Sequence, residues 1–195
     1  KELVAFFNTF KHQLACDAKL HLRYEIYHTP AIPWIQTLIN KGDIDLIAFN
    51  DHLSYMHEDL QKPEKTLQMM GLTGLSKDEV HKMYNNLFEQ KDKALAGVSE
   101  IAKRASEYAI PMASHDEEEQ SVRQWYHEIG CTICEFPCNV EAAAKAIDLG
   151  DPIVLGAPNA VKGGSLYNRM STKQAVADGL CTIMASDYYY PSLLH

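Results

Sequence analysis

Six short apolar runs, each bounded by turn residues, constrain this chain more than any other feature. They are LHLRYEI (20–26), IDLIAFN (44–50), IPMAS (110–114), TICEF (132–136), PIVLG (152–156) and CTIMAS (181–186). The first alternates in polarity, while IDLIAFN has the compact apolar character of a strand buried on both faces. Helical spacing fills the intervals: residues 2–14, Ala31 to Asn40 with Gly42 as a stop, Ser76 to about Tyr108, then 117–129, 139–149 and 171–178. Ser76 with Glu79 three residues later forms a capping box and marks the clearest helix start in the chain. The stretch between the second run and Ser76 reads as irregular and polar. Strands separated by helices imply βα units and a parallel α/β sheet. Six strands fit an open doubly wound sheet or three quarters of an eight-stranded barrel, and periodicity alone does not choose.

In parallel βα architectures the site forms where loops leave the C-terminal ends of the strands. Here those ends carry candidate ligands. The first run ends in Glu25 with His28 beyond it, and the second in Asp51-His52. The third runs into Ser114-His115-Asp116, the fourth carries Glu135, the fifth leads to Gly156-Ala157-Pro158-Asn159, and the sixth to Ser186-Asp187. A single polar residue at a strand end says little, because chains emerge into solvent there. Imidazoles and carboxylates at most of six successive ends are another matter, because together they suit zinc, manganese or iron(II). The segment GAPNAVKGGS (156–165) adds glycines for close backbone approach and a cation in Lys162, a pattern that can cradle a phosphate.

The chain's 195 residues, 46% hydrophobic, suffice for one core and are read as one domain, 1–195. A net charge of −8 with no basic stripe excludes a general nucleic-acid binder. No apolar run is long enough for a bilayer and no leader pattern opens the chain, so no membrane partner and a cytoplasmic location are expected. Five cysteines form an odd set, expected to be reduced. Cys131, Cys134 and Cys138 mimic a metal spacing, but a strand lies between the first two and points them apart, so buried thiols are expected. The chain opens at Lys1 directly in a helical pattern, like a piece of something longer.

Several motifs together carry a family resemblance: His21-Leu22-Arg23 with Glu25, Asp51-His52, Ala113-Ser114-His115-Asp116, Glu135-Phe136-Pro137, Glu141-Ala142-Ala143, Gly156-Ala157-Pro158-Asn159 with Gly163-Gly164-Ser165, and Ser186-Asp187-Tyr188 through Pro191-Ser192-Leu193-Leu194. In this order they resemble the phosphonate-metabolism hydrolases of the amidohydrolase superfamily, enzymes of the carbon–phosphorus lyase pathway. The resemblance implies a partial TIM-like (β/α)8 barrel: about six C-terminal βα units, with the first two missing. It implies a divalent metal (zinc, manganese or iron) held by Glu25, His52, His115 and Asp187, with Glu135 and Asp116 as alternatives. Asp187 would also handle the proton of the attacking water. The implied reaction releases pyrophosphate from α-D-ribose 1-methylphosphonate 5-triphosphate, with Asn159, Lys162, Gly163, Gly164, Ser165 and Arg169 facing this phosphorylated small molecule. An incomplete barrel exposes sheet edges, so a homo-oligomer is expected.

The pattern departs from the family in three places. The superfamily's first-strand His-x-His or His-x-Asp pair is absent, and a site without it is expected to bind metal weakly. The Pro-Gly-Gln-Arg-Gln run after Asp51-His52 is replaced by Leu53-Ser54-Tyr55-Met56-His57, and the His-Ser-Gly-Asn run after Ser165 by Leu166-Tyr167-Asn168-Arg169. Hydrolysis of C–N bonds in amides or cyclic imides, or a fragment that acts by association, are the alternative readings.

Overall fold

A computed structural model describes residues 2–163, 170–187 and 189–193. Six strands are present among them: β1 (His21–Glu25), β2 (Leu46–Asn50), β3 (Met112–His115), β4 (Ile133–Glu135), β5 (Ile153–Gly156) and β6 (Ile183–Ala185). Five of them fall inside an apolar run read from the sequence, and β3 overruns IPMAS (110–114) by one residue, His115. Ten helices accompany them: α1 (Glu2–Phe10), α2 (Ile32–Lys41), α3 (His52–Asp59), α4 (Pro63–Thr73), α5 (Lys77–Phe88), α6 (Lys91–Glu107), α7 (Gln120–Glu128), α8 (Val140–Leu149), α9 (Ala157–Lys162) and α10 (Thr172–Ala177). None of the described helices is long and apolar enough to cross a membrane.

The strands form one sheet in the order β1-β2-β3-β4-β5-β6, and every neighbouring pair is parallel. This order settles the choice that periodicity left open. A doubly wound sheet reverses direction at a switch point, whereas a barrel advances strand by strand in one sense. The chain advances five times without reversal and the sheet does not close: it is the arc of a TIM-like barrel.

Strand pleating divides the sheet into two faces. Tyr24, Phe49, Ser114 and Cys134 stand in one register row, and Tyr24, Ile47, Phe49 and Met112 join the main core with residues of α2 and α6. Glu25, Asn50, His115 and Glu135 form a row on the opposite face, at the last residue of four successive strands. Gly97 lets α6 approach α2, since a Cβ there would lie 2.6 Å from Ile32 Cδ1. Gly42 caps α2 in the left-handed conformation at φ 67°, where its missing Cβ removes the steric cost.

Two helical expectations are corrected. The polar stretch before Ser76 holds α3 and α4, and the long helix from Ser76 is two helices that break at Glu89–Gln90. The reason is shared. Residues 89–93 (EQKDK) offer no apolar anchor, so α5 turns to a small core of its own, in which Leu60, Val80 and Tyr84 are buried with Met69, Met70 and Met83 against them. Helix α6 packs instead on the main sheet through Ala94, Val98, Ile101 and Ala105. The capping box is formed as expected, with Ser76 Oγ accepting from the Glu79 N–H and the Glu79 carboxylate accepting from the Ser76 N–H.

Cys131, Cys134 and Cys138 are buried free thiols, and burial pushes the Cys131 thiol up to about 12. Beside them lies a fully buried cation. Arg123 of α7 is 0% exposed. Its Nη1 donates to Ser114 Oγ at 2.7 Å and pairs with Glu117 Oε1 at 3.2 Å, and its Nε lies 3.3 Å from Asp151 Oδ2. Nη2 donates to the Cys131 carbonyl, and His127 Nδ1 contacts Asp151 at 2.9 Å. Removing one member of such a cluster leaves uncompensated buried charge, at a cost of roughly 3–5 kcal/mol. Urea unfolding of R123M should show a loss of that size, and the triple variant R123M/E117Q/D151N should recover part of it. An R123M midpoint equal to that of the parent chain would mean that the cluster contributes nothing to stability.

Candidate metal site at the strand ends

The inner-face row places its side chains where a barrel builds its chemistry. His115 ends β3, and Asp116 follows it with φ 61°, a backbone conformation that costs a non-glycine residue free energy. His52 opens α3, immediately after the turn at Asp51. Among the described residues these three form the cluster fit to hold an ion, with their ligand atoms within 4.8 Å of one another. Asp116 is its centre: Oδ2 lies 3.3 Å from His115 Nδ1 and 3.8 Å from His52 Nε2. A tetrahedral ion with bonds of about 2.1 Å separates its ligands by about 3.4 Å, so little movement would be needed. Two imidazoles and a carboxylate suit zinc, manganese or iron(II). Glu135 Oε2 is buried without a hydrogen-bond partner and lies 3.9 Å from His115 Nε2, as a carboxylate oxygen facing a cation position would.

Glu25, an expected ligand, stands next to the cluster and contacts His52. Its Oε1 lies 2.6 Å from His52 Nδ1, while His52 Nε2 faces Asp116. This is the arrangement of a carboxylate that orients an imidazole from behind, fixing which nitrogen remains for a metal. The same hydrogen bond, reinforced by charge and opposed by partial burial, raises His52 above its ordinary range. His21, on the same face of β1, moves the other way because burial disfavours its charged form, with Arg23 and His115 adding to the effect and Glu135 opposing it.

The remaining expected residues spread along the sheet. Asp187 lies two residues beyond β6 with φ 49°, and it is not within the 4.8 Å cluster. Three strand spacings separate β6 from β3, roughly 14 Å along the sheet. Asn159 and Lys162 lie on α9, so the first part of the expected glycine-rich loop is helical. Gly163 caps that helix at φ 82°. Lys162 Nζ lies 5.8 Å from the centre of the Tyr189 ring, in cation–π range. Gly164, Ser165 and Arg169 lie outside the described residues.

Two groups were missed in the sequence. Arg23 shares the inner face with Glu25, and its Nη2 lies 3.3 Å from His115 Nε2. The i, i+2 alternation of His21, Arg23 and Glu25 was the signal that could have found it. The Arg123 cluster left no such trace, since an arginine on a polar helix reads as solvated. A cavity of about 450 Å³ opens beside the triad, with Asp51, Glu118, Glu119 and Lys91 among its polar lining and Leu95, Val122 and Trp125 among its apolar walls.

With this geometry in place, comparison with known proteins becomes informative. The chain is 29% identical over 184 residues to the α-D-ribose 1-methylphosphonate 5-triphosphate diphosphatase of Escherichia coli (strain K12). It resembles that enzyme along most of its length. The match covers 91% of this chain and 47% of the relative, so the chain spans about half the length of the curated protein it matches. The resemblance read from the motifs is thereby borne out. No protein-family model matches the chain. Among solved structures, an arginine dihydrolase from the ornithine–ammonia cycle in cyanobacteria aligns over 92% of this chain and 32% of its own, with 12% identity and a TM-score of 0.26. That likeness is too slight to bear on fold or function.

The Glu25–His52 pair gives a direct test of the electrostatics. In a metal-free NMR titration the His52 ring should change protonation above the ordinary value of 6.5, and E25Q should bring the midpoint down toward it. The sign follows from the carboxylate, which stabilises the imidazolium and so extends it to higher pH. An unchanged midpoint in E25Q would show that the two groups do not interact in solution.

Proposed function

We propose that this protein is a divalent-metal-dependent hydrolase that releases pyrophosphate from α-D-ribose 1-methylphosphonate 5-triphosphate, or carries the site of a longer protein that does so. The observation that carries the reading is the convergence of His52, His115 and Asp116 at the C-terminal edge of a barrel-ordered sheet. Similarity to the diphosphatase supplies the substrate class.

In this reading His52 Nε2, a His115 ring nitrogen and Asp116 Oδ2 hold the ion, and Glu25 fixes the His52 ring from behind. Once bound, a divalent ion there would acidify a water and offset negative charge on phosphoryl oxygens. Glu135 Oε2, buried and without a hydrogen-bond donor, is a fourth donor or a proton acceptor beside His115. Asp187 takes the proton-handling part that the resemblance assigns to it. Asn159, Lys162 and Gly163 lie at the far end of the same strand edge, where the resemblance puts the substrate, and Gly164, Ser165 and Arg169 belong to the same proposal.

A second reading has an observation of its own. Asp51, Asp116, Glu118 and Glu119 give the cavity beside the triad an acidic lining, with Lys91 as its counter-charge and Trp125 as an apolar wall. Such a surface repels a triphosphate and suits a neutral or cationic group, as C–N bond hydrolysis of an amide or cyclic imide would need.

Pyrophosphate release decides between the two readings. With manganese or zinc supplied, pyrophosphate should appear from the triphosphate substrate, and H115A and D116N should each lose about 100-fold or more of the rate. Turnover of N-acyl amino acids or dihydropyrimidines without pyrophosphate release would select the second reading and sink the first.

A further inference from the structure

Arg23 stands against the triad, and among the described residues no carboxylate pairs with it. As the third residue of β1 it shares the inner sheet face with Glu25, two residues on. Its Nη2 lies 3.3 Å from His115 Nε2. The Asn50 amide, with its oxygen turned to Arg23, accepts from the same Nη2 at 3.0 Å and donates to the Ala48 carbonyl at 3.3 Å. Neither contact is to a carboxylate: one partner is an amide oxygen and the other an imidazole nitrogen. Among the described residues Arg23 makes no ion pair, although Glu25 stands on its own face of the strand. The other arginines among the described residues are committed: Arg104 pairs with Glu107 at 2.6 Å, and Arg123 is held by Glu117 and Asp151. Arg23 is also exposed, so an incoming ligand can reach it.

We propose that Arg23 positions an anionic group of the substrate, a phosphate or phosphonate, beside His115. The proposal rests on the reading of this edge as the site of a hydrolase for a phosphorylated substrate. A guanidinium presents parallel N–H donors in a rigid plane that matches two oxygens of one phosphoryl group. Its present partners are an amide and an imidazole, and an anion that displaces them gains a bond between opposite full charges in exchange for contacts that carry no negative charge. Releasing His115 Nε2 costs the ring little, because its Nδ1 still faces Asp116 Oδ2 at 3.3 Å. The competing role is purely mechanical, in which Arg23 props the His115 ring and never meets a ligand.

The test titrates the full chain, R23M and R23K with inorganic triphosphate and with methylphosphonate by calorimetry, with and without manganese. Manganese binding is measured separately for each protein. R23M should keep its manganese affinity within about three-fold and bind both anions roughly 10–100-fold more weakly, as expected for one charge-assisted contact. R23K restores the charge without the fork and should fall between the two. Anion binding by R23M equal to that of the parent chain overturns the proposal, as does a loss of manganese affinity that accounts for the whole anion effect. Absence of any anion binding by the parent chain overturns it as well. Arg23-dependent methylphosphonate binding in a chain that releases no pyrophosphate would sink the proposed reaction and leave the role of Arg23 standing.

Discussion

The buried guanidinium of Arg123 fixes the geometry on which the site depends. It holds Ser114 on one side and Glu117 on the other, and the two residues between them are His115 and Asp116. Asp116 sits at φ 61°, a conformation that costs a non-glycine residue roughly 1–3 kcal/mol and persists where the surroundings over-determine it. Both flanks of that turn are tied to one cation that cannot move without stranding Glu117 and Asp151 in the interior. Burial alone would push the Glu117 carboxyl up, and Arg123 pulls against it. A strained turn carrying two candidate metal ligands is thus anchored from behind the sheet.

Strand alternation keeps this anchor apart from the chemistry it supports. Ser114 and Cys134 face the helices with the Arg123 cluster, while His115 and Glu135, one residue later on the same strands, face the open side. The same period places Arg23 and Glu25 together on β1. One set of charges is ion-paired within itself, although Glu117 Oε1 and Arg123 Nε make no hydrogen bond, and the other is not so paired. Among the described residues Glu135 Oε2 has no donor and Arg23 has no ion-pair partner, and His52 and His115 each turn a nitrogen toward one carboxylate oxygen. Groups left in that condition at the rim of a barrel-ordered sheet are candidates for function, whereas the ion-paired set behind the sheet accounts for rigidity.

The strands were legible because each is short, apolar and punctuated, and a parallel sheet leaves that signature whatever its tertiary context. Their spatial order was not, since one periodicity serves a doubly wound sheet and a barrel alike. Helices α3 and α4 were hidden for a physical reason: they cover a satellite core around Leu60, Val80 and Tyr84, and need only a few apolar anchors among polar residues. At the site, type and location were readable from strand ends, but the division of labour was not. Glu25 and Asp116 are both carboxylates beside a strand end, and only the three-dimensional arrangement separates them: Glu25 contacts His52 Nδ1, while Asp116 faces both imidazoles. Asp187 illustrates the same limit, because chain order cannot reveal how far an unclosed sheet leaves β6 from β3.

Charge finally constrains how such a site can receive an anion. Glu25, Asp116 and Glu135 contribute three carboxylates to one strand edge in a chain of net charge −8, and the neighbouring cavity adds Asp51, Glu118 and Glu119. Unit charges about 4 Å apart at an effective dielectric near 20 interact by about 4 kcal/mol, so these carboxylates alone would keep a phosphoryl group out. The donors that suit a divalent cation are therefore the groups that repel the proposed substrate. In the proposed reaction metal and anion binding would be coupled, the first lowering the cost of the second. Within that scheme Arg23 matters beyond its single charge. It is positive charge that the chain itself places against His115, and its partners there, an amide oxygen and an imidazole nitrogen, leave that charge available to the substrate.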